Sequence, residues 1–535
     1  MNSRLRNFRP VMTGVVCFCS AAGCQGPDTT SQYQKAAEWV ESRTGIVPDW
    51  ESPWDETANG LRQVVMLDPE TVIATALRNN RALRADLEFI GQADAELVQA
   101  GLMSNPVFNF MMMFPSGGGR VMLRGGALPM QPLQDLWLIP VRRKVASAAL
   151  QEAVLRSADR AVDTVKAAKT AYVEVQYAQR AIELIRENIE LVSESTSIIQ
   201  ARSQAGQSSQ VEVNLSRIRE ERLQSERLAM QTELAEKKYQ LLALMGAADA
   251  PVSWAVRPLQ EIADRSPPPR DEVELVLLAS DQRLDLKSAE WVAESALSKV
   301  KLARREGWPD LALGFTFERS PRGRTRGASL RARASDAAAS GFVRGLSNGM
   351  NGGRGMQQMG PPVSQIAPMP RPTRDVTYTL GPMIEFELPI FDWGQAQTAR
   401  AIHEYRQRLA SYDDLLQSIV KDVRTLLARQ VDAYGQLRLF RDVIMPEVER
   451  NLELARESYI SGQTDLTIYL RTQEDAIATR QKMLEFLRDC LLIEAELERA
   501  VGGAMGIARM DQGERSNVAD GGDRVEDNEV TDDGE

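Results

Sequence analysis

Apolar and polar positions alternate over short stretches of this chain and recur at intervals of three and four over very long ones. After Trp308-Pro309, Leu311, Leu313, Phe315 and Phe317 fall on one side, and Ala312, Gly314, Thr316 and Glu318 on the other. Side chains of a strand point to opposite faces in turn, so this reads as a strand. The same period returns after Asp375. There Val376, Tyr378, Leu380, Ile384, Phe386 and Leu388 oppose Thr377, Thr379, Gly381, Glu385 and Glu387. Phe108, Phe110, Met112 and Phe114 mark a third strand. A fourth, over roughly 127–139, is poorly patterned and contains Pro129 and Pro132. Residues 141–203 and 393–460 predict helices of ~95 and ~100 Å at 1.5 Å per residue. In the second, Ile402, Tyr405, Leu409, Tyr412, Leu416, Ile419, Val423 and Leu426 form a heptad seam that needs a neighbouring helix along its length. Pro446 is its one internal proline and predicts a kink.

The punctuation repeats. Asn105-Pro106 and Trp308-Pro309 each open a strand; Leu138-Ile139-Pro140 and Leu388-Pro389-Ile390 each close one before a long helix. Ala205-Gly206-Gln207-Ser208 and Ser461-Gly462-Gln463-Thr464 each interrupt the helix that follows. Each half therefore reads helix, strand, loop, strand, long helix, turn, long helix, an internal duplication. At the turns, Gly206 and Gly462 suit the left-handed conformation that ends a helix, and Ser208 and Thr464 are expected to cap the returning helices. A capped turn is needed in any helical hairpin, so these residues do not by themselves indicate a site.

Composition removes most enzyme classes. The chain has 535 residues, 26% charged and only 6% aromatic, and a single histidine, His403. A His-dependent acid–base centre or His-rich metal cage is thereby disfavoured. No phosphate-binding glycine loop is present, the acids are scattered along helices without a catalytic pair, and no cofactor is called for. The net charge of −10 gives no support to nucleic-acid binding. Most of it comes from residues 511–535, with ten acids against two arginines, so 506–535 is read as an acidic disordered tail. Residues 319–374 are the opposite: ten Arg, one Asp, nine Gly and six Pro, a loosely folded basic insertion. Its charge suits phosphate groups of a lipid surface, or nothing more than solvation. Met111, Met112 and Met113, with Met350, Met356, Met359 and Met369, suit either soft-metal thioether contacts or ordinary apolar filling.

The start of the chain carries an address. Arg4, Arg6 and Arg9 precede an apolar stretch from Val11 to Ala22, and Ala21-Ala22-Gly23 leads to Cys24. The pattern resembles a bacterial lipobox, with Cys24 as the lipid anchor, although Ala21 stands where Leu is usual. Gln25, rather than Asp, resembles an outer-membrane lipoprotein. Residues 1–23 are then a signal peptide, and an ordinary signal cleaved elsewhere is the alternative.

Taken in order, several segments resemble the outer membrane efflux protein family, the TolC-like ducts. They are Leu77-Arg78-Asn79-Asn80-Arg81-Ala82-Leu83, Asp281-Gln282-Arg283-Leu284-Asp285-Leu286, Trp308-Pro309-Asp310-Leu311, Leu388-Pro389-Ile390-Phe391-Asp392-Trp393-Gly394-Gln395 and Tyr459-Ile460-Ser461-Gly462. The resemblance divides the chain into an extended segment 24–67, a first repeat 68–250, a linker 251–270 and a second repeat 271–505. It implies a mainly α fold with a small β portion. A TolC-like homotrimer would build a long α-helical periplasmic barrel continuing a twelve-stranded outer-membrane β-barrel, with four strands per chain. It implies a passive outer-membrane channel of a tripartite efflux system, carrying drugs, toxic compounds or metal ions. A periplasmic adaptor and a resistance-nodulation-division or ATP-binding-cassette pump would be its partners.

Under that reading Thr316, Glu318, Thr377, Thr379, Glu385 and Glu387 line the barrel lumen. The turns holding Gly206, Ser208, Gly462 and Thr464 form the periplasmic gate, with Tyr459, Asp465, Arg471 and Glu474 as closing contacts. The family's acidic lumen positions fall here on Ile468 and Arg471, a departure that argues against an acidic constriction. A soluble sheet packed on helices would give the same strand alternation. A soluble periplasmic coiled-coil scaffold is the alternative function.

Overall fold

A computed structural model describes residues 29–50, 66–107, 110–113, 122–259, 271–321 and 376–503. Cys24, residues 1–23 with their expected signal peptide, most of the basic insertion and the acidic tail lie outside them. The described chain divides into two compact units, one holding residues 142–300 and 399–503 with the segment before residue 101, the other holding 101–141 and 301–398.

The smaller unit is a four-stranded antiparallel sheet. Its strands are β2 (Phe110–Met113), β3 (Met122–Pro132), β5 (Leu311–Pro321) and β6 (Val376–Phe386), in the order β2-β3-β5-β6. Glu318 pairs with Thr379, Thr316 with Gly381 and Ala312 with Glu385. Directly paired residues point to the same face. The register therefore collects the small and polar positions of both strands on one side and Leu313, Phe315, Leu380, Ile384 and Phe386 on the other. Leu313, Phe315, Leu380, Ile384 and Phe386 are all exposed. Among the described residues, β2 and β6 each have one edge without a partner strand.

The fourth predicted strand is corrected in position. Pairing covers Met122–Pro132, and Leu138-Ile139-Pro140 lies inside a helix, not at a strand end. Two register shifts, between Gly125 and Leu128 and between Leu128 and Gln131, break the period-two pattern. The helix that follows, α4 (Asp135–Gln204), runs for 70 residues from a fully buried Asp135, whose carboxylate accepts the Ser104 N–H at 2.6 Å. Pro140 sits within its first two turns, where few intrahelical N–H bonds are lost.

The larger unit is helical. In chain order it contains α1 (Thr30–Thr44), α2 (Pro69–Asn79), α3 (Arg81–Ala100), then the body of α4 and α5 (Gln210–Leu244). The second half supplies α6 (Glu272–Gln282), α7 (Leu284–Glu306), α8 (Gln395–Arg438), α9 (Met445–Ile460) and α10 (Leu466–Val501). A two-residue parallel bridge joins β1 (Met66–Leu67) to β4 (Ala255–Val256). The predicted kink at Pro446 takes a specific form. Leu439–Ile444 is a π-helical segment in which Met445 N–H donates to Phe440 O, five residues back. Pro446 has no N–H for an ordinary bond to Asp442 O, so the wider turn falls where the α-ladder is already broken.

Small side chains let the helices approach closely. Ala158, Ala161, Ala168 and Val175 on α4 are buried in a core with Leu83, Leu87 and Ile90 of α3 and Leu241 and Leu242 of α5. The end of α10 is fixed to α4 by charge. Arg499 donates to both oxygens of Asp159, at 2.8 and 2.9 Å, and to Asp163 at 2.5 Å. Arg283 pairs with Asp285 and donates to Ala500 O at 3.3 Å. Burial pushes the Asp159 carboxyl up to about 6, against the pull of Arg499.

Candidate functional site at the two helical turns

The α4–α5 and α9–α10 turns are built alike. After Arg202-Ser203-Gln204-Ala205, Gly206 adopts φ 74°; its N–H donates to Ser203 O and that of Gln207 to Arg202 O. After Ser458-Tyr459-Ile460-Ser461, Gly462 adopts φ 78°; its N–H donates to Tyr459 O and that of Gln463 to Ser458 O. Both are Schellman endings, which bond the last free carbonyls of a helix and place glycine where a Cβ is disfavoured. The capping residues are Ser209 and Asp465, one position beyond Ser208 and Thr464. Ser209 Oγ accepts the Glu212 N–H at 3.3 Å, whereas the Asp465 side chain makes no cap bond.

Ser208 is thereby released for another contact. Its hydroxyl lies 3.2 Å from that of Tyr459, joining the first hairpin to the second. Tyr459, 3% exposed, is the centre of the cluster. Its ring stacks on Tyr469 at 5.4 Å and 12°, and the Arg202 guanidinium lies over the same ring, 4.6 Å from its centroid. Arg202 also donates to Tyr459 O, and to Ile460 O at 3.2 Å, so a cation from α4 satisfies the carbonyl end of α9. Behind it, the Tyr469 hydroxyl meets Ser195 Oγ at 2.7 Å and Gln473 Nε2 donates to the same oxygen at 2.9 Å. Burial raises the Tyr469 hydroxyl above its ordinary range, so it stays a neutral hydrogen-bonding group.

Farther along, Arg219 of α5 pairs with Glu474 and donates to Leu470 O at 2.8 Å. Arg456 of α9 reaches Glu194 of α4 at 2.5 Å. Of the expected closing residues, Tyr459 and Glu474 thus bind the first hairpin. Asp465 and Arg471 are exposed, and their side chains pair with none of the described residues. Ile468 is 56% exposed. The sequence reading missed Arg202, Arg219, Ser195, Tyr469 and Gln473. Arg202 had a readable signal, a basic residue in the last turn before a helix-ending glycine.

In the sheet, Thr316 Oγ1 donates to Gly381 O at 3.4 Å, Thr379 and Glu385 are exposed, and Glu318 is half-buried. Thr377 pairs with Ser320 in the register of β5 and β6. Glu387 lies just past β6, its N–H bonded to Asp310 O at 3.1 Å.

Residues 275–503 match the outer membrane efflux protein family. Solved structures similar to this chain include CusC, with 18% identity and a TM-score of 0.61 over 86% of this chain and 97% of that one. CmeC of Campylobacter jejuni gives 16% and 0.62 over 89% and 95%. MtrE of Neisseria gonorrhoeae, solved as an open outer membrane channel, gives 16% and 0.58 over 85% and 96%. No curated protein matches the chain. At these identities the likeness is one of fold, mainly helical with a small β portion, as in the TolC-like channels.

Proposed function

We propose that this chain is an outer membrane efflux channel, a reading supported by the match of residues 275–503 to that family and by a fold like that of the TolC-like channels, and that three copies of it enclose a water-filled export duct. The observation that carries this reading is the open sheet. Four strands cannot close on themselves, because a barrel wall needs about eight or more. In lipid, the unpaired edges of β2 and β6 would each leave backbone groups without partners. Joining β6 of one copy to β2 of the next satisfies both edges and closes a twelve-stranded wall. The exposed Leu313, Phe315, Leu380 and Ile384 then face acyl chains, and Thr316, Glu318, Thr379 and Glu385 face water.

The duct is passive, since no energy-coupling motif is present in the sequence. Cys24 anchors the mature chain to the outer membrane by lipid, and the helical unit extends into the periplasm. There an adaptor protein connects it to a resistance-nodulation-division or ATP-binding-cassette pump. Small toxic molecules or metal ions are the cargo. The Tyr459 cluster holds the two hairpins of one subunit together, a closed arrangement whose release would widen the periplasmic end. Conductance of the purified protein in planar bilayers, alongside its mass in unboiled gels, tests the reading. Trimers that conduct support it. A monomer freed by osmotic shock, without conductance, would establish the soluble scaffold instead.

A further inference from the structure

Where the sheet leads into the long helices, five large apolar side chains are exposed. Trp308 precedes β5, and Leu388, Ile390, Phe391 and Trp393 follow β6. Leu311 pairs with Phe386, so both segments leave the same end of the sheet. Phe391 is 92% exposed and each of the two indoles 68%. Apolar side chains gathered in this way mark a surface that meets something other than water.

The connection is locked in place. Gly394 takes φ 79°, and a Cβ on Gly307 would collide with Trp393 O, so two glycines let the segments before β5 and after β6 touch through their backbones. The backbone after β6 is also bonded within the unit. Asp392 Oδ1 accepts the Gly394 N–H and Gln395 Oε1 the Trp393 N–H, both at 3.0 Å. Ile390 N–H donates to Leu388 O at 2.8 Å and Glu387 N–H to Asp310 O at 3.1 Å. Unbonded backbone groups are costly where water is scarce, and four N–H groups of this short stretch already have partners. The acids collect elsewhere: Glu306, Asp310, Glu387 and Asp392 line a hollow of about 320 Å³, and of the five exposed side chains only Trp308 joins them. The indole N–H groups of Trp308 and Trp393 bond to none of the described residues. An indole is apolar across its ring and polar at one N–H, which suits the boundary between acyl chains and headgroups.

We propose that Trp308, Phe391 and Trp393, with Leu388 and Ile390, seat this end of the sheet in the headgroup layer of the periplasmic leaflet. The rings lie against the upper acyl chains, and the indole N–H groups bond to phosphate or ester oxygens of phospholipid. The patch follows directly on Phe386, the exposed last residue of β6, so the proposal rests on the reading of the apolar face of β5 and β6 as lipid-facing.

The experiment uses the full chain purified from membranes and reconstituted in phosphatidylcholine vesicles. Cys490 is fully buried, so Phe391→Cys offers a site for the fluorophore NBD, with the identically treated parent as blank. A lipid carrying a nitroxide near its headgroup should quench the label at least twofold more strongly than one carrying it deep in the acyl chain. Gln207→Cys, on the exposed α4–α5 turn, should be quenched by neither. In the unlabelled chain, Trp308→Leu with Trp393→Leu should remove at least half of the tryptophan emission that brominated lipid quenches. A label at 391 that neither lipid quenches overturns the proposal, as it would if a second copy covers the patch. So does stronger quenching from the deep nitroxide, or a double variant quenched to the parent extent. Trimer content and conductance are read on the same preparation. Conducting trimers with an unquenched label sink this inference alone, whereas a quenched label without trimers or conductance keeps the patch in the membrane surface and sinks the duct.

Discussion

Arg202 concentrates three interactions in one side chain: two backbone carbonyls at the end of α9 and the face of Tyr459. A charged donor to a helix C-terminus is worth about 1.5–3 kcal/mol when the bonds are well made, and its loss falls on the joint between hairpins rather than on either hairpin alone. Arg202→Ala should therefore leave helix content unchanged and raise the open probability of single channels in planar bilayers. A parent-like open probability would exclude the joint from gating. Asp159 makes a different prediction. Its folded-state carboxyl is raised from 3.8 to about 6, chiefly by burial, so the folded chain holds a proton that the unfolded chain has released. Stability then falls as pH rises through the window from about 4 to 6, because the unfolded state binds fewer protons there. Asp285 is lowered instead, with Arg283 offsetting its burial, and its contribution is lost only as pH falls below about 4. Thermal unfolding midpoints measured across pH 4 to 6 should decline for the parent chain, and the slope should flatten in Asp159→Asn. An equal slope in both would assign the decline to another group.

At the scale of elements, the two turns show what a strand of letters conveys and what it conceals. Gly206 and Gly462 were legible because helix endings of this kind place glycine at a position of positive φ. The caps were misplaced by one residue because the Schellman ending consumes Gln207 and Gln463 as hydrogen-bond donors, and one more residue is needed before the chain turns back. Around Gly206 no atom lies within 4 Å of an added Cβ, so substitution there tests backbone conformation without packing. Gly206→Ala should cost about 1 kcal/mol and Gly206→Asn less, measured by denaturant unfolding; an Ala variant as stable as the parent would mean the turn refolds into another form. The long helices were readable from their apolar spacing, since a seam of that length has no other use. The π segment was not, because it depends on how the break at Pro446 is shared with the turn before it. Strand β3 was misplaced because its register shifts cancel the alternation by which strands are recognised. The inter-hairpin contacts of Arg202 and Arg219 join residues more than 250 positions apart. Spacing along one chain carries no record of such pairs.

At the scale of the whole molecule, the proposed duct makes the charge on the polar face of the sheet its most testable quantity. The register sets Glu385 opposite Ala312 and Glu318 opposite Thr379, six residues farther along β5, or ~20 Å at the rise of a strand. If three copies close the wall, each of these positions becomes a ring of three carboxylates at its own level. Rings of acidic side chains favour cations near the wall and leave the width of the path unchanged. Neither carboxylate bonds to another described side chain, and Gln keeps the size and shape of Glu, so the exchange removes charge while nearly preserving volume. The double variant Glu318→Gln, Glu385→Gln should therefore assemble to the same extent and conduct at the same level, but with a lower cation-over-anion permeability ratio, read from the reversal potential under a salt gradient. The effect should shrink in concentrated salt, because the Debye length falls from about 10 Å at 0.1 M to about 3 Å at 1 M. A ratio that stays at the parent value in dilute salt would place these carboxylates on the outer side of the wall, and with them the assignment of every alternating residue in β5 and β6 would reverse.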